Sequence, residues 1–462
     1  MRFFKEKKML LIIYVIIAVL VGMSNFMEPA NLFVLVSISL SLLVVLAGDK
    51  MAHLYLLLAL CPFYTSLRIS GLYVGFVIPL MILFKLITKR STISSPILVF
   101  LSFIFLFVWF LHDVQFVTLA NAIFRLLVPA CIFLIICKQR LDNYDGYYAM
   151  WIVVLTSIIA MISVFFVQGG SLDAFINASY AGEMRLGEAD VDDGQKNQLG
   201  GAMGFPIYTI IVVSLFFQML MTHSFKLWKK VSIIGIGTVL FFITFLTISR
   251  VYILGLLTLL LLLFLHMLKS KSVKTIIGLV VGAFIIYVIA SVYLPEYMDN
   301  IFDSYLTRQM SHTDHGGTGI RGAIFEDCVK YLTEDMECLL VGKGSSAYPL
   351  YGAKIHRLFS FSAHNMILDS FMAFGILGTL ILLSLYIHLY RRERLRTGIR
   401  WSIFRVMPLA CYLMMNMTAT PFLLDKTYPL LLFLIMNIIH CTDNSEYEPK
   451  WDKNNSINYK QI

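Results

Sequence analysis

The chain has 462 residues, of which 59% are hydrophobic and only 14% are charged, and its formal net charge is +9. Its mean hydropathy is +0.80. So apolar a composition excludes a soluble domain of this length. The positive charge does not indicate nucleic-acid binding, because about 25 of the 37 lysines and arginines fall in or near connections that are predicted to face the cytoplasm.

The apolar runs predict an all-α polytopic membrane protein with about fourteen transmembrane helices, since a bilayer core takes about 20 apolar residues per helical span. The asymmetry of basic residues predicts that both termini are cytoplasmic. In chain order the predicted spans are 9–23, 31–47, 51–66, 71–88, 96–111, 117–137, 147–168, 202–222, 231–248, 250–268, 275–294, 364–390, 401–418 and 422–440.

These spans divide the chain into four parts. Residues 1–294 hold eleven spans and an acidic outer loop at about 169–201, which reads as solvated carboxylates more readily than as a cation site. Residues 295–363 form a large extracytoplasmic loop, residues 364–440 hold spans twelve to fourteen, and residues 441–462 are a cytoplasmic tail. Two cysteines of the large loop, Cys328 and Cys338, could pair, but the absence of a Cys-x-x-Cys pattern favours free thiols.

The large loop contains one predicted surface helix. From Arg321 onward, apolar residues recur at helical spacing, and Thr318 is a plausible N-cap. We expect this helix to lie along the outer membrane surface, with Arg321 at its N-terminal end. Free N–H groups and a guanidinium at a helix N-terminus suit an anion, although a capped surface helix without any ligand would show the same pattern.

His364 and Asn365 stand where the large loop re-enters an apolar span. An imidazole in such a half-wet position can accept a hydroxyl proton near neutral pH. The alternative is an interfacial histidine that bonds a backbone carbonyl. His312 and His315 in the same loop are spaced as metal ligands could be, but no further Cys/His pair lies at ligand spacing, so the sequence favours a metal site only weakly.

Two arginines interrupt apolar sequence. Arg250 breaks the run from Val231 to Leu268 at the predicted outer face, where it is either a snorkelling residue in a turn or a functional cation. Arg125 lies about eight residues inside the run 117–137, and a charge at that depth normally faces a polar cavity or a partner. It either pairs with an acid such as Asp113 or binds phosphate in an outward-facing cavity.

Taken together, these residues resemble the O-antigen ligase/polymerase family over about residues 241–380. The motifs follow in the order of the family: Thr247-x-Ser249-Arg250, Gly319-x-Arg321, Leu340-Val341-Gly342-Lys343-Gly344, and His364-Asn365-x-x-Leu368 with Gly375 and Gly378. The chain departs from the pattern at Ile367, where the family often has an aromatic residue, and at Ala373, where it often has an acid. Phe325 is the nearest residue to the tryptophan that is frequent in the loop helix.

The resemblance implies a GT-C-like, inverting, metal-independent glycosyltransferase that uses an undecaprenyl-diphosphate-linked donor and no cofactor. It implies that Arg250 and Arg321, with Arg125, hold the diphosphate as the glycosidic bond breaks. It further implies that His364 activates the acceptor hydroxyl, and that Asn365 orients the sugar or the imidazole. Ser249 joins the substrate-binding residues as part of the Thr-x-Ser-Arg element.

Among the activities that this family covers, we expect a polymerase of lipid-linked repeat units for capsule, O-antigen or exopolysaccharide. A ligase that transfers glycan to another acceptor is the alternative within the family. A flippase for the same lipid is the alternative outside it, although the lopsided distribution of polar sequence is unlike the two similar halves of a transporter. The expected partners are undecaprenyl-diphosphate-linked oligosaccharides, the bilayer of the bacterial cytoplasmic membrane and a chain-length regulator, but not nucleic acid.

Overall fold

The computed structural model describes residues 7–70, 72–88, 143–167, 170–171, 201–222, 227–245, 250–270, 288, 292, 319–343, 365, 367–372, 374–380 and 403–417. These residues are almost entirely helical. The helices are α1 (Lys7–Met23), α2 (Ala30–Ala47), α3 (Lys50–Leu60), α4 (Val77–Thr88), α5 (Asn143–Val167), α6 (Gly201–Thr222), α7 (Leu227–Phe245), α8 (Arg250–Ser270), α9 (Gly319–Glu334), α10 (Met336–Val341) and α11 (Ile403–Asn416). Residues 367–372 and 374–380 are also helical.

Five of the predicted spans begin and end within a few residues of the observed helices, namely those at α1, α2, α5, α6 and α8. Spans 51–66 and 71–88 need correction. The α-helix of the first ends at Leu60 and continues as a 3-10 turn over Cys61–Ser66, because Pro62 lacks the N–H of an α-helical ladder. The second begins only at Val77, after two short antiparallel strands, β1 (Arg68–Ile69) and β2 (Leu72–Tyr73).

The first five helices pack together in one group around the buried helix α3, and hydrogen bonds join their apolar surfaces. Tyr14 of α1 donates its hydroxyl to the carbonyl of Ala52 in α3 at 3.0 Å, and both residues are buried. Ser163 of α5 donates to the carbonyl of Gly22 in α1 at 2.9 Å. Each bond gives a buried hydroxyl an acceptor in an apolar environment.

The two ends of this group are built differently. At one end the ammonium of Lys85 donates to the carbonyls of Val45, Leu46 and Gly48, which closes the C-terminus of α2. At the opposite end the β1–β2 hairpin is fixed to the start of α2, where the backbone N–H of Ser70 donates to Oδ1 of Asn31 at 2.9 Å.

The later helices form a second group that joins the first through α5 and α6. The hydroxyls of Ser157 and Tyr208 lie 3.0 Å apart, and both side chains are buried. In the second group, Tyr252 near the start of α8 donates to the carbonyl of Phe241 near the end of α7 at 3.0 Å. The start of α8 therefore lies beside the end of α7.

Among the described helices, Ala30–Ala47 is the one that is long and apolar enough to cross a bilayer, with a mean hydropathy of 2.5. Shorter apolar helices include Met9–Met23, Trp151–Val167 and Tyr252–Leu265. The predicted helical class is confirmed for the residues that the structure describes, apart from the small hairpin. Spans 96–111, 117–137, 275–294 and 422–440 lie wholly or almost wholly outside those residues, so the count of fourteen and the orientation stay predictions.

Candidate active site

The predicted loop helix exists as α9, Gly319–Glu334, and Arg321 is its third residue. The first N–H groups of an α-helix have no partner within the helix, and Arg321 lies in that first turn of α9. The N-cap predicted at Thr318 falls outside the described residues. The backbone therefore places Arg321 at the helix end that favours anions.

One side of α9 packs against protein rather than against solvent. Cys328, Tyr331 and Leu332 are buried, and they form a cluster with Leu368 and Met372 of the segment that follows Asn365. Phe325 and Val329, at the edge of the same apolar face, are exposed. Part of the apolar face of α9 is therefore buried against protein, and part is exposed. Contact of the exposed part with the membrane surface stays a prediction.

A short second helix, α10, extends this contact. Asp335 caps it by accepting the backbone N–H of Cys338 at 3.0 Å, and Tyr331 donates its hydroxyl to the same carboxylate at 3.2 Å. The N–H of Cys338 lowers the pKa of Asp335, because a bond to the charged form stabilises that form. The cap therefore fixes the angle between α9 and α10.

After α10, the chain turns at Gly342 and bonds directly to the helical segment 367–372. Gly342 has a φ of 78°, a left-handed conformation that suits glycine, and its N–H donates to the carbonyl of Cys338 at 2.9 Å. The backbone N–H of Lys343 then donates to the carbonyl of Met372 at 2.9 Å. The side chain of Lys343 pairs with the carboxylate of Glu337, which holds the turn against α10.

Asn365 begins the helical segment after the large loop and acts as its N-cap. Its Oδ1 accepts the backbone N–H groups of Ile367 at 3.0 Å and Leu368 at 3.2 Å. Its own backbone N–H donates to Oδ2 of Asp369 at 3.1 Å. The carboxamide is thus part of the helix start, and its predicted role towards sugar or imidazole stays a prediction.

Asn365 also connects this segment to α11 and, through α11, to α8. Its Nδ2 donates to the carbonyl of Met417, just beyond the end of α11, at 3.4 Å. Two residues earlier, Met415 packs so closely on Gly255 of α8 that a Cβ on that glycine would lie 2.5 Å from Sδ of Met415. Gly255 lies five residues, about 7.5 Å of helix rise, from Arg250, which begins α8.

The structure therefore connects three elements that carry predicted site positions. α8, which begins at Arg250, contacts α11 at Gly255, and Asn365 bonds to Met417 just beyond α11. The segment after Asn365 packs on α9, which carries Arg321, through the buried cluster at Cys328, Tyr331 and Leu332. His364, which directly precedes Asn365, lies outside the described residues, as do Arg125 and Ser249.

The comparisons with known proteins bear on this same part of the chain. Residues 235–383 match the model of a family described as O-antigen ligase. That region is therefore similar to the O-antigen ligase family. It contains most of α7, then α8, α9, α10 and the segment after Asn365, and so confirms the resemblance given by the motifs. No curated protein matches the chain.

Within the matched region the two cysteines, Cys328 and Cys338, are buried and form no disulfide, which confirms the expectation for this pair. Cys338 lies close enough for its Sγ to donate to the carbonyl of Met372 at 3.7 Å. Burial raises the pKa of the Cys338 thiol to about 11. These thiols therefore serve as small apolar groups that pack the loop onto the helical segment.

The sequence reasoning missed one residue of the site, Asp369. This aspartate is fully buried and accepts the N–H of Asn365. The signal that could have found it is a single acid inside the predicted span 364–390, since a charge within an apolar span usually has a specific partner.

Proposed function

We propose that this protein is a membrane glycosyltransferase that polymerises lipid-linked oligosaccharide repeat units. The observation that carries the proposal is the contact chain from α8 through α11 and Asn365 to α9, which joins the helix that begins at Arg250, the residue that follows His364 and the helix that carries Arg321. The family match supports glycan transfer in a membrane, and the motifs support these residues as its site.

In the proposed reaction the donor is an undecaprenyl-diphosphate-linked glycan, and the acceptor is a hydroxyl of another repeat unit. His364 accepts the proton of that hydroxyl as its oxygen attacks C1 of the donor sugar. The bond between C1 and the diphosphate oxygen breaks, and the diphosphate leaves with the electron pair. Attack opposite the leaving group inverts the configuration at C1.

Arg250 and Arg321 are proposed to hold the diphosphate, and Arg125 and Ser249 to complete its binding. A guanidinium keeps its proton at all physiological pH values and matches the geometry of phosphate oxygens with two parallel N–H groups. Cations placed where negative charge grows stabilise the transition state more than the ground state. The reaction then needs neither a metal nor a cofactor.

The arrangement also suits a substrate that is half lipid and half polar. The apolar helices provide contacts for the polyprenyl tail, whereas the helix starts of α8 and α9 provide donors for the diphosphate. We propose that these helix starts face the outer side of the bacterial cytoplasmic membrane and that both termini face the cytoplasm. A regulator of chain length is a further proposed partner.

Cells that carry single substitutions distinguish the three candidate activities. For a polymerase, His364→Ala and Arg250→Ala abolish chain extension while single repeat units still reach the outer face. Accumulation of single units on the inner leaflet would instead support a flippase. Loss of transfer to a different acceptor, with long lipid-linked chains still formed, would support a ligase. Lys330→Ala on the exposed side of α9 is the matched control and keeps normal chains.

A further inference from the structure

We propose that Asp369 is a positioning residue for His364, and this inference rests on the function proposed above. Its carboxylate fixes the peptide unit through which residue 364 joins the helical segment. Asp369 would therefore act on the reaction without touching the substrate.

The first observation is the reciprocal bonding between Asp369 and Asn365. Oδ2 of Asp369 accepts the backbone N–H of Asn365 at 3.1 Å, and the carbonyl of Asn365 accepts the backbone N–H of Asp369 at 2.8 Å. The Asp369 side chain has a relative exposure of 0%. Because a hydrogen bond strengthens when water is excluded, this buried contact anchors the backbone of Asn365.

The second observation is that all four polar groups of Asn365 are engaged. Beyond its two backbone groups, Oδ1 caps the N–H groups of Ile367 and Leu368, and Nδ2 donates to the carbonyl of Met417 at 3.4 Å. Asn365 is therefore held from the helical segment and from the end of α11 at once.

These bonds constrain the residue before Asn365 through covalent geometry. The N–H that Asp369 accepts belongs to the peptide bond between residues 364 and 365. Because that unit is planar, the direction of its N–H and the position of the Asn365 Cα together set the direction in which the Cα of residue 364 lies. Asp369 thereby holds the peptide bond by which His364 is joined to the helical segment.

The third observation separates this bond from an ordinary helix cap. Asn365 caps the first free N–H groups of the segment by itself, as an N-cap residue does. In the usual reciprocal arrangement the third helical residue bonds back to the cap, but that residue here is Leu368, which is buried in the cluster with α9. Asp369, one residue later, supplies the return bond, so Leu368 is free to pack against the loop helix.

The test compares Asp369→Ala, Asp369→Asn and Ser370→Ala in the purified full-length protein with a lipid-linked donor and acceptor. Ser370 is the matched control, because it is also buried and adjoins Asp369 in the chain. Since a small misplacement of a reacting group can cost about 100-fold in rate, we expect Asp369→Ala to lower kcat about 100-fold and to leave the KM for the acceptor within about threefold. Asp369→Asn keeps an acceptor oxygen and should stay within about fivefold of the wild-type kcat, and Ser370→Ala within about twofold.

Two results would overturn the inference. The first is an Asp369→Ala variant with wild-type kcat, and the second is an Asp369→Asn variant as inactive as Asp369→Ala. If Asp369→Ala does not fold, Asp369→Glu decides the matter. Glutamate keeps the charge but moves its oxygen by one methylene, so positioning predicts a lower kcat for Asp369→Glu than for Asp369→Asn, and the reverse order contradicts it.

His364→Ala, assayed in the same experiment, separates failure of the positioning role of Asp369 from failure of the proposed function. An inactive His364→Ala with a fully active Asp369→Ala would refute only the positioning role. An active His364→Ala would refute the proposed function itself.

Discussion

Gly375 lies directly against the peptide unit that follows Leu340. A Cβ on Gly375 would stand 2.3 Å from the carbonyl carbon of Leu340 and 2.4 Å from its oxygen, which is closer than any side chain tolerates. Gly375 also has a φ of 63°, a left-handed conformation that favours glycine. The large loop therefore docks on this helical segment through backbone, at a position where only glycine fits.

Gly375→Ala should consequently disrupt the contact between the large loop at Leu340 and the helical segment at Gly375. The left-handed backbone of a non-glycine residue costs about 1–3 kcal/mol, and the clash with Leu340 adds to it. We expect lower thermal stability, faster proteolysis within residues 319–343 and a large loss of transfer activity. The comparison is Gly235→Ala in α7, where a Cβ meets nothing within 4 Å. That control should keep full activity, and equal behaviour of the two variants would refute the docking role.

The thiols of Cys328 and Cys338 should resist modification in the folded protein. Both are buried, and burial raises the pKa of Cys338 to about 11, so little reactive thiolate is present at neutral pH. We expect a maleimide to react with them only after denaturation. A cysteine placed at the exposed position Lys330 should react at once in the native protein. Rapid native labelling of Cys338, or a disulfide between the two, would contradict the packing described here.

The cap at Asp335 predicts a pH dependence of the loop. The backbone N–H of Cys338 lowers the pKa of Asp335 in the folded state, so the stabilisation is fully present above the unfolded pKa of about 4. It is lost as the pH falls through the lower folded pKa.

Asp335→Ala should lower stability by about 1 kcal/mol near neutral pH, and the difference from wild type should shrink in acid. Thermal unfolding of both proteins in detergent, from about pH 6 down to about pH 3, measures this difference in stability. Glu326→Gln, an exposed change on α9, is the control and should leave the curve unchanged. A constant difference at all pH values would show that the carboxylate charge plays no part.

The proposed site requires its residues to face one compartment. In a cysteine-free background, Arg250→Cys, Arg321→Cys and His364→Cys should all react with a membrane-impermeant maleimide added outside intact spheroplasts. Lys50→Cys lies at the start of α3, beside the C-terminus of α2 to which Lys85 bonds, and it should react only after lysis. Labelling of the three site positions from opposite sides would refute a common site.

The sequence predicts the helices well because each depends on local spacing. The apolar runs place α1, α2, α5, α6 and α8 within a few residues, and the spacing of apolar residues after Arg321 predicts α9. Hydropathy does not tell which apolar side chains meet protein and which remain exposed. In α1, Leu10 is 4% exposed and Ile12 is 53% exposed, although both fit the same apolar run.

The contacts that build the site are less accessible to sequence reasoning, because they join residues far apart in the chain. Nothing local to Gly375 reveals that the backbone of Leu340 packs on it, and nothing local to Asn365 reveals its bond to the carbonyl of Met417. Motif resemblance singled out Gly375 without giving its physical reason. The charge of Asp369 inside an apolar run was visible, but its acceptor role depends on the three-dimensional turn.

The most direct test of the central claim is extension of purified undecaprenyl-diphosphate-linked repeat units by the purified protein, with a chelator present to remove divalent metals. We predict a ladder of products of increasing length for the wild type and for Lys330→Ala. We predict no ladder for His364→Ala, Arg250→Ala or Arg321→Ala, provided that each variant remains folded. Normal extension by a folded His364→Ala or Arg250→Ala, or extension that requires an added metal, would contradict the proposal.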